Sequence, residues 1–492
     1  MNIINLNISF YYTEKLSQIF LSLIFTPVFF KLLGGDNYAL IGLYVVFQNI
    51  VNKLDFGIVA TFSREISFNL KNKTYIEKLT NQFEYIYLFI FIIIFFIFYF
   101  LDAHIFFDWS ENSDLKINEF QYSIKIIGVI VALSFCSILY SSGLAGLERH
   151  LVINSIKTTF HALKFIGGSV FLFFFSNNIL DFFLYLFVIT LIEFLFFLIC
   201  FYYYSKQAFF NKFRKIDLGI LKKIAPFSLH VAYNTILFII LLDFFQLFLS
   251  IKLTSIEFGY FSLMLIICRA VNETTMPITR VLRPRLINLI SENKITKFTK
   301  LLFDYSITSA YLSFAIAIVI YTHREFLIFG WLNDHNALNW MNDIIIFFLL
   351  GSAFQATGYF SSIACQALDK MNLYSVILTV ITTLALILMF LFIDKYGIMG
   401  AGLVWLFISL LLFLGAGLIY RICLPKFFFK WILSLALIII IIGINCILLN
   451  KFVPLFSSGN SLIVILESIL RGIFILIISS PAFFISKKIY KF

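Results

Sequence analysis

The chain has 492 residues, of which 61% are hydrophobic and only 13% are charged, whereas a soluble globular chain carries about 25% charged residues. Apolar runs long enough to cross a bilayer recur from end to end and leave no room for a soluble catalytic domain. The formal net charge is +11, but Lys and Arg lie in short segments between apolar runs, where they orient a membrane protein, so no nucleic-acid partner is expected. The composition predicts an all-α polytopic membrane protein that is not an enzyme.

Fourteen apolar runs are predicted to be transmembrane helices. Basic residues concentrate in alternate connections, such as the one containing Lys71 and Lys73 and the segment 206–223, whereas the connection 102–121 is acidic. This alternation predicts that both termini lie in the cytoplasm. The chain is expected in the bacterial inner membrane. The predicted spans are 10–33, 38–62, 84–101, 122–142, 150–175, 179–204, 224–250, 258–285, 303–321, 342–364, 372–393, 397–421, 428–449 and 461–483.

The sequence contains an internal repeat with a spacing of 221 residues. Because the repeat unit contains six spans, an even number, its two copies share one orientation, and a pseudo-two-fold axis along the membrane normal is predicted to relate them. The matching positions are Lys31 with Lys252, Asp36 with Glu257, Arg64 with Arg285, and Gly146-Leu-Glu-Arg149 with Ala367-Leu-Asp-Lys370.

The repeat defines the predicted domain organisation. Residues 1–205 form an N-terminal six-helix lobe and residues 224–421 form a C-terminal six-helix lobe, joined by a cytoplasmic linker, 206–223. Residues 422–492 add two transmembrane helices and a basic cytoplasmic tail. Two lobes facing one central aqueous cavity are expected.

Motifs for nucleotide, dinucleotide or metal binding do not stand out in the sequence. No G-x-x-x-x-G-K-[ST] string occurs, so a P-loop is not expected. The glycines of Gly397-Ile-Met-Gly-Ala-Gly402 open the twelfth span rather than follow a strand, which favours close helix packing. The six cysteines lie in or beside apolar runs without C-x-x-C spacing or a His-rich partner, so neither a cofactor nor a metal is predicted.

The fifth span carries a polar stripe. Asn154, Lys157, His161 and Lys164 follow one another at steps of three, four and three residues, which places them on one face of an α-helix. A charged side chain in mid-membrane is costly and faces protein or water. We expect this stripe to line a cationic cavity and Lys164 to contact an anionic substrate. The alternative is an ion pair between Lys164 and Glu193 of the sixth span.

A second polar stripe is predicted in the eighth span. It consists of Arg269, Asn272, Glu273 and Arg280. Arg269 and Glu273 are four residues apart, so they neutralise each other in the alternative, structural interpretation. Lys53 in the second span is a further candidate for substrate binding.

Other ionisable residues are candidates for gating or for coupling to H⁺ or Na⁺. The 221-residue repeat places Arg64 and Arg285 at equivalent helix ends, which suggests paired gates. A structural role is the alternative for each member of this group. The group consists of Glu14, Asp55, Arg64, Glu193, Asp243, Glu257, Glu273 and Arg285.

Several short motifs, in this order and spacing, resemble the polysaccharide-repeat (O-antigen, Wzx-type) flippases of the multidrug/oligosaccharidyl-lipid/polysaccharide (MOP) exporter superfamily. The resemblance runs over most of the first twelve spans. The motifs are Leu33-Gly-Gly-Asp-Asn-Tyr38, Leu54-Asp-Phe-Gly57 before Arg64-Glu65, Gly146-Leu-Glu-Arg149, Asp243 followed by Glu257-Phe-Gly-Tyr260, and Tyr396-Gly-Ile-Met-Gly-Ala-Gly402.

The resemblance implies two lobes that alternate between inward-open and outward-open states around a cationic lumen. It also implies an undecaprenyl-pyrophosphate-linked oligosaccharide as cargo, with membrane lipids and polysaccharide polymerase machinery as partners. Three rivals remain. They are a cation-coupled multidrug exporter of the same superfamily, a lipid-linked peptidoglycan-precursor flippase, and a membrane glycosyltransferase or polymerase, which usually needs a larger outer loop than this chain has.

Overall fold

The computed structural model describes residues 3–54, 58–69, 72–102, 117–206, 232–273 and 275–452, with short stretches between 470 and 480. All regular secondary structure in these ranges is helical. Asp55, nearly all of the linker 206–223 and most of the predicted span 461–483 lie outside the described residues. The chain divides into two compact units, Met1–Gly259 and Tyr260–Phe492, which we call unit 1 and unit 2.

The helices of unit 1 bury apolar faces against one another. Helix α4 is central, since it packs against α2, α3 and α7. Close approach depends on small residues, because a Cβ on Gly128 would lie 2.2 Å from the Cβ of Phe98 and a Cβ on Gly143 would lie 2.4 Å from a ring carbon of Phe201. The helices are α1 (Ile3–Lys53), α2 (Ile58–Phe68), α3 (Lys73–Phe100), α4 (Ile117–Gly146), α5 (His150–Ala162), α6 (Gly168–Phe174), α7 (Ile179–Ser205), α8 (Phe245–Lys252) and the first turn of α9 (Ser255–Glu273).

Unit 2 continues α9 and is organised around α11, α14 and α16. Helix α17, the first of the two predicted C-terminal additions, packs on α11 and α16. Its fully buried Trp431 lies 5.0 Å from Tyr420 and 5.2 Å from Phe413, measured between ring centroids. The helices are α10 (Met276–Ser291), α11 (Ile295–Thr322), α12 (Arg324–Leu332), α13 (His335–Asn342), α14 (Ile345–Gly358), α15 (Phe360–Ala367), α16 (Met371–Cys423) and α17 (Pro425–Phe452).

The prediction of an all-α polytopic membrane protein is confirmed. Ten helical segments in the described ranges are long and apolar enough to cross a membrane. Two of them, Ser17–Lys53 and Met371–Cys423, each overlap two predicted spans, and the backbone turns at the junction of those spans, at Gly34 (φ 79°) and Gly397 (φ 55°). Such positive φ angles favour glycine, which has no Cβ. The predicted count of fourteen spans is not established by this structure.

Two predicted spans are wrong in their continuity. The predicted span 38–62 is interrupted, since α1 ends at Lys53 and α2 begins at Ile58. The predicted span 258–285 comprises two helices, because α9 ends at Glu273 and α10 begins at Met276 with a proline in its first turn. Proline lacks an N–H and fits the first turn of a new helix better than a helix interior. The two breaks occur at corresponding positions of the 221-residue repeat.

Two helices end with the same backbone geometry at equivalent positions of the 221-residue repeat. Glu148 and Asp369, 221 residues apart, have left-handed φ angles of 59° and 54°. The N–H of Arg149 donates to the carbonyl of Leu144, and the N–H of Lys370 donates to the carbonyl of Cys365, at 2.9 and 2.8 Å. These bonds are the six-residue closures that terminate many helices. The same sequence pattern therefore ends α4 and α15 in the same way.

We expect Glu148→Gly and Asp369→Gly each to stabilise the protein by a few tenths to about 1 kcal/mol, because glycine adopts the left-handed conformation without a Cβ clash. Valine at either position is expected to destabilise it, since its branched side chain is disfavoured there. Thermal unfolding of the detergent-solubilised protein measures both effects. Arg149→Gly is the control, because φ is −92° at Arg149. Opposite signs at Glu148 and Asp369 would contradict the equivalence of these helix ends.

Candidate functional site

Four of the predicted charged residues form two ion pairs inside unit 1. Lys164 Nζ lies 2.5 Å from Glu193 Oε2, and both side chains are 15% exposed. Lys53 Nζ lies 2.6 Å from Asp243 Oδ2, with the Lys53 side chain 38% exposed and the Asp243 side chain 3% exposed. Each pair joins two different helical segments of the membrane region. We call these four residues the charged cluster of unit 1, and they are the candidate functional site.

The Lys164–Glu193 pair connects the fifth predicted span to α7. Sequence reasoning left substrate contact and Glu193 pairing open for Lys164, and the structure brings Lys164 and Glu193 together. Tyr44 of α1 is buried and close enough to interact electrostatically with both charges. Three helical segments thus meet at this pair.

Lys164 lies in a π-helical turn, Leu163–Gly167. Such turns are rare and often occur at functional sites, because the wider ring changes the direction of side chains and of one carbonyl. The Leu163 carbonyl accepts a hydrogen bond of 2.7 Å from the Tyr185 hydroxyl of α7. Gly167 permits this approach, since a Cβ there would lie 2.2 Å from the Tyr185 oxygen. The local sequence and the neighbouring helix together stabilise the turn that carries Lys164.

The predicted stripe of the fifth span needs correction at its last member. Asn154 is buried, and Lys157 and His161 are half-buried on α5, where each interacts with a neighbouring group. Lys164 does not continue their regular α-helical spacing, because the π turn begins after Ala162. Its direction is therefore set by the widened turn and by Glu193.

The Lys53–Asp243 pair also involves a π-helical turn, Ile239–Phe244, which contains Asp243. Here the Leu242 carbonyl accepts a hydrogen bond of 3.0 Å from the Gln246 side-chain amide. Lys53 is the last residue of α1. In both ion pairs, one charged residue therefore lies in a π turn, and a side chain donates a hydrogen bond to a backbone carbonyl of that turn.

The predicted stripe of the eighth span is divided between α9 and α10. Arg269 and Asn272 are half-buried on α9, and Arg269 interacts with a neighbouring group. The side chains of Glu273 and Arg280 lie outside the described set. Because α9 ends at Glu273, Arg280 lies on the next helix, α10, and not on the same continuous helix as Arg269 and Asn272.

The remaining gating candidates have varied surroundings. Glu257 accepts bonds from the Thr254 N–H and hydroxyl, both at 3.0 Å, which is the reciprocal arrangement of a capping box at the start of α9. Arg64 and Arg285 are exposed. The side chain of Glu14 and all of Asp55 lie outside the described residues. A gating role for these residues remains a prediction.

Sequence reasoning missed one carboxylate, Glu84 of α3. Its Oε1 atom accepts hydrogen bonds from the hydroxyls of Tyr140 on α4, at 3.0 Å, and Tyr202 on α7, at 2.7 Å. The residue was overlooked because it is the first residue of the predicted span 84–101. The spacing of Glu77, Asn81 and Glu84 by four and three residues was the available signal, since it places a polar line on one face of α3.

The two ion pairs place two lysines in the membrane region, each facing a carboxylate. Lysine is a compact point charge with three donors, and phosphate oxygens compete for it with carboxylate oxygens. An anionic group brought to Lys164 or Lys53 would replace Glu193 or Asp243 as the partner.

Comparisons with known proteins identify the fold. No family model and no curated protein sequence matches the chain. The lipid II flippase MurJ, in an inward closed conformation, matches with a TM-score of 0.70 and 15% identity over 97% of this chain and 98% of that chain. An inward-facing multidrug resistance transporter of the MATE family matches with a TM-score of 0.64 and 12% identity over 86% of this chain and 95% of that chain.

A third solved structure, a MOP superfamily transporter from Pyrococcus furiosus described as having a binding pocket of reverse polarity, matches with a TM-score of 0.61 and 13% identity. That match covers 88% of this chain and 96% of the other. The chain therefore has the fold of the MOP superfamily transporters, and its neighbours in structure are flippases and exporters.

Proposed function

We propose that this chain is a flippase that carries an undecaprenyl-pyrophosphate-linked oligosaccharide from the cytoplasmic to the outer leaflet of the bacterial inner membrane by alternating access. The observation that carries the proposal is the pair of lysines, Lys164 and Lys53, placed among membrane helices against exchangeable carboxylates. Intramembrane charges are rare and mark substrate or ion pathways.

The chemistry of the cargo suits these lysines. A lipid-linked sugar diphosphate has a polar, doubly charged head and a long apolar tail that stays in the bilayer. Only the head needs a wet, cationic path across the membrane, and Lys164 and Lys53 provide positive charge on that path. When the diphosphate binds, it takes over the charge compensation that Glu193 and Asp243 otherwise provide to Lys164 and Lys53.

Orientation of the chain follows from its charges. The connections richest in Lys and Arg alternate with poorer ones, which supports cytoplasmic N- and C-termini. Residues 69–82 of this cytoplasmic side carry several lysines, which suits contact with anionic lipid heads. Proton or sodium coupling and contact with a polysaccharide polymerase belong to the same proposal.

Transport of a peptidoglycan precursor is the second candidate, and one observation favours it. The match to the lipid II flippase MurJ extends over 97% of this chain, whereas the match to the inward-facing MATE transporter covers 86%. The fuller match supports a lipid-linked cargo over a drug. Both lipid-linked candidates share the diphosphate chemistry and differ in the sugar.

Complementation separates these candidates. The chain is expressed in one strain that lacks its O-antigen flippase and in another that is depleted of its lipid II flippase. Restored surface polysaccharide in the first strain, without rescue of growth in the second, supports the proposal. Rescue of growth alone assigns the peptidoglycan precursor. Increased drug resistance with neither rescue would favour a multidrug exporter and contradict a flippase.

A further inference from the structure

The surroundings of Glu84 differ from those of the carboxylates in the charged cluster. Glu193 and Asp243 each face a lysine. The hydrogen-bond donors to Glu84 among the described residues are two neutral hydroxyls, those of Tyr140 and Tyr202, and both contact Oε1. The structure shows no Lys or Arg paired with Glu84 in the ranges that it describes.

Aromatic side chains enclose this carboxylate. Tyr140 and Tyr202 are buried, with their ring centroids 6.4 Å apart. The Tyr140 ring also lies 5.8 Å from Phe194 and 5.8 Å from Phe201. Glu84 is half-buried among these rings, where three helices meet. In the described part of unit 1, Glu84 has no lysine or arginine that offsets its desolvation, whereas Glu193 and Asp243 each have a lysine.

Tyrosine partners allow this carboxyl group to change its protonation state without losing its hydrogen bonds. A phenolic hydroxyl both donates and accepts, whereas a lysine ammonium only donates. Both tyrosines bond to Oε1, so Oε2 has neither of them as its partner. A proton added at Oε2 neutralises the group and leaves the two bonds at Oε1 in place. The same addition at Glu193 or Asp243 would leave a lysine charge uncompensated.

The titratable groups around Glu84 fit this interpretation. On α4, Cys136 lies one turn from Tyr140 and interacts with it. On α3, Glu77 interacts with Tyr202. On α2, the Glu65 carboxylate accepts a hydrogen bond of 2.8 Å from the Tyr75 hydroxyl of α3. None of these groups supplies a positive charge to Glu84.

The two tyrosine partners of Glu84 lie near helix ends. Tyr202 is three residues from the end of α7, and Tyr140 is six residues from the end of α4. Both ends lead to connections that the sequence predicts to be cytoplasmic. We infer that Glu84, held by Tyr140 and Tyr202, is a proton-binding site that exchanges with the cytoplasmic side, separate from the charged cluster of unit 1.

Infrared difference spectroscopy tests this site without any cargo, so its outcome is independent of the complementation result. The purified chain in lipid nanodiscs is acidified from neutral buffer, and the appearance of protonated carboxyl bands is recorded. The parent is expected to show a band that is lost in Glu84→Gln and kept in Glu292→Gln, a change at an exposed carboxylate 54% accessible to solvent. Tyr202→Phe is expected to shift this band by removing one hydroxyl donor.

Two results would overturn the inference. The first is a spectrum of Glu84→Gln with every parental band intact. The second is a change in the infrared spectrum that depends on Glu84 and appears on addition of Na⁺ at constant pH, with no carboxyl band on acidification. This result would assign a metal cation instead of a proton to the site. If Glu84→Gln does not reach the membrane, the Tyr140→Phe/Tyr202→Phe variant decides, because an unshifted parental band in that variant excludes Glu84 as its source.

Discussion

Lys164→Glu is expected to abolish export of the lipid-linked cargo. The substitution places two carboxylates where Lys164 Nζ now lies 2.5 Å from Glu193 Oε2, and loss of one partner from a buried pair costs about 3–5 kcal/mol. Lys164→Arg is expected to keep appreciable export, because it preserves the charge. Export is measured as surface polysaccharide in a strain lacking its own flippase. The amount of each variant in the membrane is measured in the same cells.

The double variant Lys164→Glu with Glu193→Lys separates structure from transport. If Lys164 also receives the diphosphate, the exchanged pair should restore the amount of protein but not export, because the cation has moved from the π turn to α7. A double variant that exports like the parent would contradict the substrate role and leave Lys164 a structural ion pair. The matched control is the same exchange at Lys294 and Glu292, which are 50% and 54% exposed, because an exposed ion pair contributes little to stability.

The second ion pair is expected to respond unequally to the loss of its two members. Lys53→Met should destabilise the protein by up to about 3–5 kcal/mol, because it removes one partner of the Asp243 carboxylate, which is 3% exposed. Asp243→Asn should cost only about 1 kcal/mol, since the amide oxygen still accepts a bond and Lys53, 38% exposed, can be hydrated. Thermal unfolding of the two solubilised variants provides the comparison.

Lys395→Met is the control for the loss of a lysine. Lys395 is exposed and lies 5.2 Å from the centroid of the Tyr396 ring, so its replacement should change the unfolding temperature little. Equal losses of stability for Lys53→Met and Asp243→Asn, or a larger loss of stability for Asp243→Asn, would show that the burial of Asp243 does not govern the energetics of this pair.

The fold was largely predictable because each transmembrane helix is formed by a continuous run of apolar residues, which can be read directly from the sequence. Apolar runs located most helices, and the match of Glu148 with Asp369 was visible as sequence before their common backbone geometry was known. The break between α9 and α10 was also signalled by Pro277, which the prediction of a continuous span did not take into account.

The site was less predictable, because its geometry depends on contacts distant in sequence. Glu193 could be named as a partner for Lys164, since the two residues have opposite charges and lie in consecutive spans. Lys53 and Asp243 are 190 residues apart, and no local pattern joins them. The two π turns had no recognised sequence signal, although they determine how Lys164 and Asp243 are presented.

The π turns also bear on how the length of this chain can change. Loss of one residue from a regular α-helix rotates everything beyond it by about 100° and shortens it by about 1.5 Å, which would misplace an entire packed face. A π turn already contains an additional residue relative to an α turn, so a deletion within Leu163–Gly167 or Ile239–Phe244 would return the helix to regular geometry. Within the described helices of unit 1, these two short segments can therefore accommodate a deletion, and both contain a charged residue of the candidate site.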